Sequence, residues 1–157
     1  NFGKGFLDIC EAIKELAMKN PEVHFIYPVH LNPNVQKPVN SVLAECPNIL
    51  LIEPQDYLPF VWLLDKCDMV ITDSGGIQEE APSFGKPVIV TREVTERPEA
   101  VEAGTVRLVG TSSEKIITNT LDILLNESTY KSMSEAHNPY GDGNAAARIT
   151  AFITHAN

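Results

Sequence analysis

Short apolar runs alternate with amphipathic helical stretches along most of this 157-residue chain, and that alternation restricts the fold more than any other feature. Val23 to Val29, Ile49 to Ile52, Met69 to Thr72, Pro87 to Val90 and Thr105 to Val109 read as strands. Between them lie helical patterns, beginning with Gly5 to Asn20, where Phe6, Ile9, Cys10, Ile13, Leu16 and Ala17 recur at three- and four-residue spacing. A stretch carrying Val39, Val42, Leu43 and Cys46 follows, then Pro59 to Lys66 as a largely buried helix and Ile77 to Phe84. Ser113 to Leu125, Thr129 to Ala136 and a terminal helix from Ala145 to Ile153, within residues 144–157, complete the pattern. Strands that are apolar throughout are buried on both sides, so the reading is a Rossmann-like, doubly wound, mostly parallel α/β sheet with helices on both faces. Such a domain ordinarily opens on a strand, whereas this chain opens on a helix. The expectation is a piece of a longer protein, cut after a first strand.

Hydrophobic residues make up 43% of the chain, enough for the core of one compact domain over residues 1–157. A formal charge of −9 with no run of Lys or Arg argues against a nucleic-acid partner. Cys10, Cys46 and Cys67 are odd in number, far apart and at apolar positions, which suits reduced packing thiols and a cytoplasmic location. No apolar run approaches the ~20 residues of a membrane span, and no secretory signal precedes Asn1. No ligand spacing for a metal and no G-x-G-x-x-G fingerprint occurs, so neither metal nor redox cofactor is expected.

The chemistry concentrates at strand ends, where open α/β sheets bind ligands. Thr72-Asp73-Ser74-Gly75-Gly76 turns from a buried strand into a helix. Two glycines admit a ligand close to the backbone, Ser74 offers a hydroxyl, and the free N–H groups of the helix favour an anion. Glu80, within about a turn of a helix starting near Ile77, can accept the hydroxyls of a ribose; equally, Glu79 and Glu80 can complement the helix dipole. Arg97 can grip phosphate or sugar oxygens, or pair on the surface with Glu93, Glu96 or Glu99. His30 suits a base, an oxygen contact or a structural hydrogen bond. Asp56 suits the cap of a helix with Pro59 in its first turn, and Phe60 or Trp62 either fills the core or flanks a flat base beside Gln55.

Several long motifs then coincide. The run Thr72 to Val88 (TDSGGIQEEAPSFGKPV), Arg92 to Val101 (REVTERPEAV) and Ala103 to Val106 (AGTV) closely resembles the non-hydrolysing UDP-N-acetylglucosamine 2-epimerases. Tyr27 to Val35 (YPVHLNPNV), Pro54 to Phe60 (PQDYLPF) and His137 to Gly143 (HNPYGDG) extend the likeness across the chain, in order. These enzymes resemble GT-B glycosyltransferases, with two Rossmann-like domains and a cleft between them, and this chain resembles the second domain.

The resemblance implies that Gln55 and Phe60 meet the uracil of a UDP-sugar, Ser74, Gly75 and Gly76 its diphosphate, Glu80 its ribose, and Arg97 its phosphate or sugar region. His30 matches a residue that contacts a second, activating UDP-N-acetylglucosamine. The implied reaction interconverts UDP-N-acetylglucosamine and UDP-N-acetylmannosamine by elimination and re-addition of UDP. The acidic catalytic groups belong to the N-terminal domain, which this chain lacks along with a His-Arg-Arg-Glu segment before Asn1. The expectation is therefore no catalytic residue here and no turnover by this chain alone, with homodimers formed by the full-length enzyme. The competing readings are a UDP-sugar glycosyltransferase domain, a non-catalytic nucleotide-sugar-binding module, and a hydrolysing epimerase.

Overall fold

The computed structural model describes residues 3–155. The order is α1 (Lys4–Lys19), β1 (Phe25–Pro28), α2 (Pro33–Leu43), β2 (Ile49–Ile52), α3 (Tyr57–Lys66), β3 (Val70–Thr72), α4 (Gly75–Glu80), a 3₁₀ turn (Ala81–Phe84) and β4 (Val88–Val90). It continues with α5 (Pro98–Ala103), β5 (Val106–Leu108), α6 (Ser113–Leu125), α7 (Glu127–Ser134) and α8 (Ala145–His155). All strand pairs are parallel, as the alternation predicts, yet they fall into two sheets: β1–β2 and β3–β4–β5. One edge of β1 and one edge of β3 therefore carry no strand partner among the described residues.

α1 joins the two sheets. Its Ile9, Ala12 and Leu16 pack with Ile89, Ile116 and Ile123 in one core cluster, while Cys10 and Ala17 pack with Val39, Leu43 and Ile49 in another. Phe25 and Ile13 touch both clusters. The helix is fixed at each end: Ser113 Oγ donates to Asp8 O at 2.7 Å, and Asn20 donates its side-chain amide to Leu16 O at 2.8 Å. Asn48, buried just before β2, donates to the carbonyls of Ala17, Asn20 and Val23 and so pins the α1–β1 turn to the second strand.

Successive strand residues face opposite ways. Ile89 of β4 points to the α1 layer, whereas Val88 and Val90 point to a third cluster with Leu64, Ala81, Ala100 and Val106, under α3, the 3₁₀ turn and α5. β4 is thus buried on both faces. β1 and β2 are not: Ile26 and Leu50, partners in register, are about half exposed at 49% and 58%. The expectation of a largely buried α3 also fails, since only Leu64 is buried and Leu58 and Trp62 are exposed. These faces are apolar but uncovered.

Two further boundaries differ from the sequence reading. The stretch Ile77 to Phe84 is two pieces, because the helix starts at Gly75 and tightens to 3₁₀ geometry at Ala81, ahead of Pro82. α5 was not expected; it is a six-residue helix opened by Pro98 and closed by Gly104, whose φ of 81° suits the left-handed cap that glycine takes without strain.

Candidate functional site

The carboxyl ends of the parallel strands form one rim. At its centre, Thr72 ends β3 and its hydroxyl accepts the N–H of Ser74 at 3.0 Å, bending the chain into α4. Ser74 occupies the N-cap position, but its side chain caps nothing and is exposed. A Cβ added at Gly75 would meet nothing within 4 Å, and at Gly76 only Ser74 Oγ at 3.9 Å. The backbone here is open to an incoming group.

Glu80 is the last of the six residues of α4, past the first turn in which a helix starting near Ile77 would have placed it, and it is partly buried. Arg97, at the mouth of α5, is half-buried and donates its Nε–H to Glu79 and an Nη1–H to the carbonyl of Glu96 at 3.0 Å. The pair with Glu79 replaces the surface pairing with Glu93, Glu96 or Glu99, and the Glu79 carboxylate raises the guanidinium pKa further above its ordinary value. Glu93 instead lies against Gly110 and accepts the N–H of Thr111 at 3.4 Å.

Sequence reasoning passed over the residue that joins these parts. Gln78 is fully buried; its Nε2 donates to Ser74 O at 3.2 Å, and its Oε1 accepts the hydroxyl of Thr95 at 2.6 Å. Thr95 Oγ1 in turn accepts the N–H of Arg97 at 3.0 Å. Gln-Glu-Glu after two glycines looks like a solvated first turn, so no sequence signal marks Gln78. Tyr140, from the HNPYGDG motif, packs on the third core cluster near Arg97, held through Asn138, which donates to Ser83 Oγ at 2.9 Å.

Of the remaining candidates, His30 and Gln55 follow the strands of the other sheet. His30 is exposed after β1, and its Nδ1 accepts the N–H of Asn32 at 3.1 Å. Gln55 is exposed after β2 and donates to Glu53 O at 2.7 Å. Asp56 holds the N-cap position of α3 without a side-chain cap bond, contrary to expectation. Phe60 packs on the third core cluster, while Trp62 faces out. The phenol of Tyr27, near the end of β1, is pushed up to about 12 mainly by burial, with smaller contributions from Cys10 and Asp73. Among the described residues, no cluster of His, Cys, Asp or Glu is arranged for a metal ion, and no helix is long and apolar enough to cross a membrane.

A parallel α/β layer with an open Ser-Gly-Gly turn and a flanking arginine on its carboxyl rim defines a Rossmann-like domain. Comparison with known proteins narrows that class. The chain belongs to the UDP-N-acetylglucosamine 2-epimerase family, whose sequence model matches residues 1–154. It is 60% identical to the UDP-N-acetylglucosamine 2-epimerase of Salmonella typhimurium over 95% of its length, and 56% identical to that of Escherichia coli K12. The match spans 40% of each of those relatives. The Neisseria meningitidis UDP-GlcNAc 2-epimerase bound to UDP-GlcNAc superposes with a TM-score of 0.92 at 50% identity, over 98% of this chain and 42% of that one. The S. aureus MnaA–UDP co-structure superposes at 0.94 with 44% identity, over 99% of this chain and 43% of that one.

Proposed function

We propose that this chain is the UDP-holding part of an enzyme that interconverts UDP-N-acetylglucosamine and UDP-N-acetylmannosamine. The observation that carries the reading is the open turn Ser74-Gly75-Gly76 at a helix start, in a chain whose relatives have been solved with UDP or UDP-GlcNAc. In this reading the turn holds the diphosphate through backbone N–H groups and the Ser74 hydroxyl. Glu80 accepts the ribose hydroxyls, Arg97 faces the phosphate or sugar, and Gln55 with Phe60 frames the uracil. His30 contacts a second, activating UDP-N-acetylglucosamine.

The C2 proton of the sugar is not acidic enough for simple abstraction. The chemistry proposed removes that proton while the C1–O bond to UDP breaks, leaving a glycal and free UDP. Re-addition forms the C1–O bond again and delivers a proton to the opposite face of C2. Holding UDP between the steps, in a cleft that the rest of the enzyme completes, is this chain's contribution, and carboxylates beyond it supply acid and base. An N-terminal domain would close the cleft. The free edges of β1 and β3, both running toward the rim, support a further strand between them from the rest of the enzyme. A cytoplasmic homodimer completes the proposal, with buried free thiols at Cys10 and Cys46 supporting a reducing compartment.

The test is solvent-isotope incorporation. The full-length enzyme in deuterated water, given UDP-N-acetylglucosamine and no acceptor, is expected to place deuterium at C2 of both epimers, while the 157-residue chain alone turns over nothing. Acceptor-dependent sugar transfer without C2 exchange, or turnover by the isolated chain, would overturn the assignment.

A further inference from the structure

A buried primary amide costs stability unless its donors and acceptor are used. Gln78 is 0% exposed, and both ends of its amide are engaged with different loops. Its orientation follows from its partners. The carbonyl of Ser74 can only accept, so it takes the Nε2–H; the Thr95 oxygen already accepts the N–H of Arg97, so its hydroxyl hydrogen goes to Oε1. The result is a directed chain from the Ser74 turn through one side chain to the backbone of Arg97. Its neighbour Glu79 holds the guanidinium of the same arginine.

We infer that Gln78 is a positioning residue that sets the Ser74-Gly75-Gly76 turn and Arg97 at a fixed separation, matched to the two phosphates of a nucleoside diphosphate. The inference rests on the nucleotide reading above and adds the part that makes the two grips one site. A glutamate at this place could accept from Thr95 but would set a carboxylate against the Ser74 carbonyl. Asparagine is one methylene short, and methionine fills the space but bonds neither loop.

Thr95 gives the cleanest test, because it lies in a loop and Thr95→Val keeps its volume while removing the hydroxyl. Amide resonances of the 157-residue chain are recorded by NMR, and UDP is titrated by calorimetry. Thr95→Val is expected to shift the Gly75 and Gly76 amides and weaken UDP about tenfold, as loss of one buried hydrogen bond would. Thr95→Ser restores both, and Gln78→Met combined with Thr95→Val loses no more than Gln78→Met alone, because the two act through one chain of bonds. Unmoved Gly75 and Gly76 amides in Thr95→Val, or additive losses in the double variant, would overturn the inference while leaving UDP binding intact. Amides that move in a wild-type chain that never binds UDP would instead overturn the nucleotide reading, and the positioning role with it.

Discussion

Arg97 donates its Nε–H to Glu79, a residue eighteen positions earlier on α4. The pair ties the loop after β4 to the helix that follows β3, and both side chains remain partly exposed, at 33% and 40%. Partly exposed pairs contribute little to stability, so Arg97→Ala is expected to move the melting temperature by no more than ~2 °C. The same change should weaken UDP about tenfold through loss of a charge-assisted grip, read by calorimetry beside the thermal melt. A large drop in melting temperature with unchanged UDP affinity would make the arginine structural.

Asn48 is the main polar anchor of the α1–β1 turn. Its amide serves the carbonyls of Ala17, Asn20 and Val23 at 3.0, 3.1 and 2.8 Å. Asn48→Ala removes the side-chain donor from the Ala17 and Val23 carbonyls, whereas Asn20 O keeps the N–H of Val23 at 3.0 Å, and should cost about 1–3 kcal/mol in urea unfolding. Asn48→Asp should cost more, since it turns a carboxylate toward three carbonyl oxygens.

At low pH the sensitive element is α8. Two bonds from Arg148 and one from the backbone N–H of Asn144 hold the Asp142 carboxyl down to about 2, with the Arg148 bonds the larger cause. A carboxyl depressed in the folded state stabilises it above the unfolded value of ~3.9, and that contribution disappears as pH falls through the folded value. The tether of α8 should therefore loosen between about pH 4 and pH 2. NMR titration of the Asp142 carboxyl is expected to show a midpoint near the lower value, returning toward ~4 in Arg148→Ala.

At high pH the sign reverses. Burial raises the Cys10 thiol to about 11 and the Tyr27 phenol to about 12. Both groups are neutral in the folded core, so their contribution is complete below the unfolded thiol value of ~8.5 and is lost as pH rises through the folded values. Alkaline unfolding followed by circular dichroism should steepen from about pH 9 upward. Cys10→Ala should flatten the portion below pH 11, whatever constant cost its smaller side chain adds.

The fold was legible where pattern and packing agree. The spacing of Ile9, Cys10, Ile13, Leu16 and Ala17 predicts α1, and these residues do face the two clusters that the helix joins. α3 escaped because Leu58, Trp62, Leu63 and Leu64 are apolar on every side, so sequence could not say which face is covered; Leu64 is buried and Trp62 is not. α5 is six residues long, too short to display a period. The rim residues Ser74, Gly75, Gly76 and Arg97 were readable from strand ends and turn chemistry. Gln78 and Thr95 were not, because their significance lies in a 2.6 Å contact between α4 and a loop residue seventeen positions later.

The central claim is that UDP sits on the turn from β3 into α4. Calorimetric titration of UDP into the chain, set beside Ser74→Ala and Glu80→Ala, tests it most directly. Weak saturable binding that each substitution reduces further is the expected result, since one loses a phosphate donor and the other a ribose acceptor. Saturable binding indifferent to both substitutions would place the nucleotide elsewhere and contradict the account.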